Sequence, residues 1–305
     1  MLVSFIVPVY NVEKYLSICL DSILNQGLEA EDFDIILVED CSTDNSLRIC
    51  KDYCSKYKNI TLIENEKNIG QGLSRNKGMS AATGEYIHFV DSDDFLFQSS
   101  LCNLLSLNII AQSPDVIRFE CRDKTDYPRI PNKIVYQGKY NDSNSSEPNL
   151  SVWRYWFRRH FLIENSIHSL DKKTGQDAIF TFTVLSKNPY IVVTSSIVYY
   201  YRHHSGSTTF QKDISYVNCL FEVIEEIIKI PAISNLSALY ITEVYKDIIT
   251  RFYRSRRNLH ECLEFKKKMK TFDQYYIITK GAWYLQLSRV PFLLYIYFWI
   301  KRSTK

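Results

Sequence analysis

A chain of 305 residues, 46% hydrophobic and 23% charged, is long enough to bury a full core and too apolar to be disordered. Collagen-like and coiled-coil plans are excluded as the main architecture, and about two domains are expected at roughly 150 residues each. The net charge of only +3 gives no electrostatic case for a nucleic-acid partner. Charge is unevenly placed, however. Met1 to Thr250 carries 24 basic and 31 acidic residues, while Arg251 to Lys305 carries 13 basic and 3 acidic. A basic tail on an acidic body calls for an anionic partner or a solvated face. The eight cysteines form no C-x-x-C pair, which disfavours a zinc ribbon and suits a reducing cytosol.

The N-terminus, Met1 to Asn11, lacks a basic leader and a small-residue cleavage site, and reads as a core strand rather than a signal peptide. Leu2 to Val9 is predicted as a strand buried on both faces. Asn11 then reads as the cap of a helix carrying Leu16, Cys19, Leu20 and Ile23 on one face. Ile35 to Val38 is a second strand, followed by a helix over Asn45 to Tyr57 that Ser42 or Thr43 could cap. Ile60 to Ile63, a helix over Gly70 to Ala82, and a strand over Tyr86 to Val90 follow. Strand alternating with helix predicts a mostly parallel, doubly wound α/β sheet. Beyond Leu101 the pattern predicts a strand over Asp115 to Glu120, a loop over Asn141 to Asn149, and a helix over Trp153 to Glu164. A helix over Asp177 to Ser186, a strand over Ile197 to Arg202, and helix from about Ser215 complete it.

Sheets of this kind bind ligands at the carboxyl ends of their strands. The polar clusters fall there: Tyr10-Asn11, Glu39-Asp40, and Asp91-Ser92-Asp93-Asp94. Three carboxylates within four residues repel one another unless a cation sits among them, and hard divalent cations prefer oxygen. A solvated acidic turn is the alternative. Asp40, after a buried strand, could accept from an N–H donor on a ligand. Asn68 to Gly78 places glycines at a helix start, where backbone N–H groups and Arg75 could meet phosphate. Arg75 stands where a dinucleotide fingerprint needs its third glycine. Asp177 at a helix start reads, on local physics alone, as a cap. Of His203 and His204, adjacent in a polar stretch, at most one is expected to be a ligand.

The motifs Val7-Pro8-Val9-Tyr10-Asn11, Glu39-Asp40-Cys41-Ser42-Thr43-Asp44, Asn68-Ile69-Gly70 through Asn76, Gly84-Glu85-Tyr86-Ile87 and Asp91-Ser92-Asp93-Asp94 come in the order and spacing of family 2 glycosyltransferases. The chain resembles that family strongly over residues 3 to about 100, and more weakly to about 210 through Gly175-Gln176-Asp177 and Tyr201-Arg202. The resemblance implies a GT-A fold, with a nucleotide-sugar half over 1–100, an acceptor half over 101–212, and a helical region over 213–305. It implies inverting transfer from a nucleotide-diphosphate sugar, UDP-linked by expectation, to a glycan or lipid-linked acceptor in surface-polysaccharide synthesis. Pro8 and Tyr10 would line the base pocket, with Asn11, Gly70, Arg75 and Ser92 also on the donor. Asp40 would accept from the base and Asp91 would lie near the ribose. Asp93, with His204, would hold Mn²⁺ or Mg²⁺. Asp177 matches the catalytic base, although its neighbour here is Gln176 where the family often has an acid.

A non-catalytic, sugar-binding partner subunit on the same fold is the alternative. A nucleotidyltransferase is disfavoured, because Tyr10-Asn11-Val12-Glu13 is no phosphate loop. Val290 to Ile300 is apolar, begins Val-Pro, and is followed by Lys301 and Arg302. At about 16 Å it is too short to span a membrane core of about 30 Å. Such a tail suits an interfacial helix on anionic lipid, hence a peripheral place at the inner face of the cell membrane. It equally suits docking on the catalytic domain or in a homodimer.

Overall fold

The computed structural model describes residues 1–123, 132–140, 150–172, 174–204 and 214–230, with 240–244, 247–248 and 267 beyond them. The expected loop at 141–149 and the apolar tail at 290–300 lie outside the described residues. Two compact units are present: Met1–Tyr140 with Asn149–His204, and Asn141–Pro148 with Ser205–Lys305.

The first unit is built on one nine-stranded sheet. The chain begins with β1 (Val3–Val9), α1 (Leu16–Leu24), β2 (Phe33–Glu39), α2 (Ser46–Lys56), β3 (Ile60–Glu64), α3 (Gln71–Ala81) and β4 (Tyr86–Phe89). These four strands are parallel, in the order β3-β2-β1-β4. All seven residues of β1 are buried, as a strand covered on both faces requires. Val3, Phe5, Val7 and Val9 join one core with Leu16, Cys19, Leu20 and Ile23 of α1. Ile6 faces the other way, against Gly78 of α3. Pro8 is tolerated mid-sheet for a geometric reason. Ile6 O accepts from Val90 N, so by the two-residue period Pro8 also turns toward β4, whose pairing with β1 has ended at Ile6–Phe89. The missing proline N–H thus falls where the β1–β4 ladder ends rather than in its middle.

The chain then adds β5 (Phe95–Leu96), α4 (Ser100–Leu105), β6 (Val116–Arg122), β7 (Ile134–Lys139), β8 (Tyr155–Arg158), α5 (Arg159–Glu164), α6 (Gln176–Ser186) and β9 (Tyr190–Tyr200). Here the pairing is mixed: β8 runs antiparallel to β4 and β6, while β9 runs parallel to β6. The helix expected over Trp153–Glu164 is instead a 3-10 turn (Val152–Arg154), then β8, then α5. Tyr155, Trp156 and Phe157 are all buried. A strand filling the sheet between β4 and β6 buries consecutive aromatics on both faces, which one helix stripe does not. Phe89, Phe157 and Phe180 form a triangle of rings, with centroids 5.4–6.1 Å apart, that docks α6 on the sheet. On the opposite face His88 is fully buried among Phe5, Phe119, Trp156 and Tyr199.

In the second unit, α7 (Ile214–Lys229) buries Val217, Leu220, Phe221, Ile224 and Ile227 along one stripe, with Val223 at its border. No helix among the described residues is long and apolar enough to cross a membrane.

Candidate active site

The chain runs outward from β1 to β2 to β3 and then returns to place β4 on the other side of β1. The switch point therefore lies between the ends of β1 and β4, where such sheets open a crevice. Tyr10-Asn11 and Asp91 to Asp94 flank it.

At the β1 end, Tyr10 is 47% exposed. Asn11 does not cap α1, whose N-cap is Tyr15 with no side-chain capping bond. Asn11 adopts a positive φ of 53°, and its Oδ1 accepts from Thr43 N at 2.7 Å. Asn11 N donates to Ser42 Oγ, Val12 N to Ser46 Oγ, and Glu13 N to Asp44 Oδ2. Ser42 and Thr43 likewise do not cap α2, whose N-cap is Asn45. The loops after two adjacent parallel strands thus satisfy each other's orphan N–H groups, and Asp44 Oδ1 also accepts from Ser46 N at the start of its own helix.

Asp40 is only 3% exposed. Its Oδ1 accepts from Asn65 Nδ2 and Ile69 N, and its Oδ2 from Gly70 N, each at 2.8 Å. Most of its acceptor capacity thus holds the segment leading into α3, which departs from the expectation of a carboxylate open to a base. Gly70 N is correspondingly not free for a phosphate. Its φ of 85° is the left-handed backbone that turns this N–H onto Asp40. Glu39, 2% exposed, accepts from Cys41 N and Ser42 N and fixes the turn before them. Arg75 is no exposed fork either. It is 1% exposed, lies 5.8 Å from the Phe89 ring, and donates from Nη2 to Asp91 Oδ1 at 2.8 Å.

The four residues after β4 have separate environments. Ser92 is buried. Asp91 accepts from Arg75 and, also at 2.8 Å, from Gln71 Nε2. Burial pushes its carboxyl up to about 6, with Asp93 and Asp177 adding to the rise and Arg75 opposing it. Asp94, 1% exposed, accepts from the Tyr199 hydroxyl and from Arg202 N, each at 2.7 Å. Burial, then Asp91 and Asp93, push it up to about 8. Asp93 is the most exposed of the three, its side chain 28% exposed against 20% for Asp91. His204 Nε2 lies 2.7 Å from its Oδ2, and Arg202 Nε donates to its carbonyl at 2.9 Å. Arg202 is in turn seated over the rings of Tyr15 and Phe95, at 5.0 and 5.5 Å. His203 turns elsewhere, to Asp123.

Asp177 lies in the first turn of α6. The N-cap is Gly175, so the capping role suggested by local physics does not hold. Asp177 is partly buried and has no hydrogen-bond or ion-pair partner among the described residues. Its charge is nevertheless felt by Asp91. The structure thus gathers Tyr10, Asn11, Asp91, Asp93, Asp177 and His204 at one rim, and sets Asp40, Gly70 and Arg75 behind it as supports. Read from sequence, Asp94, Arg202 and Gln176 stand within motifs without a separate role, and Tyr199 and Gln71 have none either.

The sequence model of glycosyl transferase family 2 matches residues 4–175. The chain belongs to that family. Over 102 residues it is 48% identical to the poly(ribitol-phosphate) beta-glucosyltransferase of Bacillus spizizenii, covering 33% of this chain and 16% of that one. It is 32% identical over 194 residues to the uncharacterized glycosyltransferase EpsJ of Bacillus subtilis, covering 60% and 55%. The chain thus spans about half or less of these relatives. The crystal structure of S. aureus TarS 1–349 in complex with UDP-GlcNAc superposes with a TM-score of 0.76 at 23% identity, over 97% of this chain and 89% of that one. The Pyrobaculum calidifontis mannosyltransferase PcManGT, in complex with GDP-Man and Mn²⁺, gives 0.62 at 16% identity, over 96% and 85%. The family 2 glycosyltransferase has a GT-A fold, with its acidic run at the rim that the topology marks.

Proposed function

We propose that this glycosyltransferase moves a sugar, with inversion, from a UDP-sugar to a hydroxyl of a glycan or lipid-linked acceptor during bacterial surface-polymer synthesis. The observation that carries the mechanism is the Asp177 carboxylate, without a partner among the described residues, set at the same rim as Asp91 and Asp93. The UDP-GlcNAc held by TarS and the poly(ribitol-phosphate) acceptor named for the B. spizizenii relative support the choice of donor and of acceptor class.

In this reading the exposed Tyr10 ring stacks on the nucleobase, beside Pro8. Asp40 and Glu39 act mainly by holding the pocket walls, and Asp91, oriented by Arg75 and Gln71, meets the ribose. Asp177 takes the proton from the acceptor hydroxyl as that oxygen attacks the anomeric carbon from the face opposite the diphosphate. One displacement inverts the centre.

Asp93 and His204 fit a divalent cation as a partial site: one carboxylate and one imidazole lie 2.7 Å apart, partly exposed, with room in the ligand set for diphosphate oxygens. No cluster of three or more His, Cys, Asp or Glu side chains suited to a metal occurs among the described residues. A bound Mn²⁺ or Mg²⁺ would supply Lewis-acid stabilisation of the leaving diphosphate. The basic segment after Arg251 supports a peripheral place at the inner membrane face, near a lipid-linked acceptor.

The test is UDP release from a panel of nucleotide sugars, UDP-glucose and UDP-GlcNAc included, with and without Mn²⁺. The proposal expects release from at least one UDP-sugar that rises with Mn²⁺. Binding of UDP-sugars with no release under any condition, with glycan acceptors added, would support the non-catalytic partner subunit instead.

A further inference from the structure

The loop that delivers Asp177 is fastened to α3 in three places. Asn76 donates to Ser169 O at 2.8 Å and accepts from Ser169 N at 2.7 Å. Gly72 lets the loop come so close that a Cβ there would meet Leu170 O at 2.5 Å. Gln176 Nε2 donates to Gln71 Oε1 at 3.1 Å. The third tie differs from the others because it continues to the rim: Gln71 Nε2 donates to Asp91 Oδ1 at 2.8 Å.

This chain of bonds has a direction. A side-chain amide has a donor end and an acceptor end. The Asp91 oxygen, already held by Arg75, takes the donor end of Gln71. Gln71 must then turn its acceptor end toward residue 176, and residue 176 must donate. Gln does this; an ionised Glu, which the family often places here, does not. Gln176 is 6% exposed and its Oε1 has no partner, so the Gln71 bond fixes its amide.

We propose that Gln176 is a positioning residue that ties the first turn of α6, and with it Asp177, to the Asp91 carboxylate through Gln71. Donor bound against Asp91 orients Gln71, and Gln71 holds the base in place for the acceptor. The inference rests on the assignments of Asp91 to the donor and Asp177 to the base.

The test uses the full chain, UDP-GlcNAc and UDP-glucose with Mn²⁺ for turnover, and UDP with Mn²⁺ for hydrogen–deuterium exchange. UDP is expected to slow exchange at Ala178 to Phe180 in the parent. Gln176→Glu and Gln176→Met are expected to lose that slowing and to lower kcat about tenfold or more, with donor KM within about twofold. Adding Gln71→Lys to Gln176→Glu supplies an ammonium that donates to both carboxylates. That double variant is expected to regain both the slowing and most of kcat. A purely packing role predicts the reverse, since Glu and Met match Gln in size. Parental UDP-dependent slowing in Gln176→Glu, or a double variant no better than Gln176→Glu, overturns the proposal, and the exchange measurement decides this even where neither donor turns over. Asp177→Asn separates the two ideas. It should lose turnover yet keep the slowing, and an active Asp177→Asn would unseat the base while leaving the tie intact.

Discussion

Asp93 and Asp94 are neighbours in sequence with opposite environments. Asp94 is sealed beneath Tyr199 and the Arg202 backbone, while Asp93 faces outward with His204. Of the acids in this run, Asp91 is held by Arg75 and Asp94 by its hydrogen bonds, yet burial and their mutual repulsion still push both carboxyls up. Asp93, the most exposed of the three and without a guanidinium on its carboxylate, is the one best placed to grip a cation from solution. Asp93→Ala is therefore expected to weaken the Mn²⁺-dependent part of UDP binding by about tenfold or more, since even indirect supports of a metal site are worth that much. Calorimetric titration of UDP with and without Mn²⁺ checks it; unchanged metal-linked affinity would count against Asp93. His88 makes a different prediction. Burial lowers its pKa from 6.5 to about 3, so it stays neutral in the fold. The unfolded chain binds a proton there below about 6.5 and the folded chain does not until about 3. Stability from this site is thus full above the unfolded value and declines as pH falls through that window. In His88→Phe, the slope of unfolding free energy between those limits should be smaller by up to about 1.4 kcal/mol per pH unit. Urea unfolding across the window measures it.

The packing of whole elements sets where these side chains stand. Helix α3 lies on β1 because Gly78 leaves room for Ile6; a Cβ at Gly78 would sit 2.3 Å from Ile6 Cγ2. Gly78→Ala should cost about 1–3 kcal/mol by overpacking. Ile6→Ala should recover part of that cost in the double variant, which the coupling energy from denaturant unfolding reads directly. The parallel half of the sheet was legible in sequence because each strand is a continuous apolar run ended by polar residues. The rim followed from topology alone. Beyond Leu101 legibility falls. Tyr155-Trp156-Phe157 looks helical in isolation and becomes a strand only because β4 and β6 flank it. The two-residue β5 leaves no periodic signal, and the first half of β9 was missed although it pairs with both β6 and β7. The supporting residues of the site were hidden for a related reason. Tyr199, Arg202, Gln71 and Gln176 act through partners 20 to 109 positions away, which no local pattern encodes.

For the molecule as a whole, one sheet places the crevice at its switch point and the start of α6 on a single rim, and the basic segment beyond Arg251 adds a second feature. If that segment holds the enzyme at an anionic membrane, removing residues 281–305 should reduce flotation with phosphatidylglycerol vesicles; equal flotation of both forms would reject lipid binding by the tail. The proposed transfer turns on Asp177 as the group that accepts the acceptor's proton. The most direct measurement compares Asp177→Asn with the parent in sugar transfer and in UDP-sugar binding. A fall in transfer of about 10²–10⁴-fold with donor affinity preserved is the predicted result. Parental transfer by Asp177→Asn would contradict it.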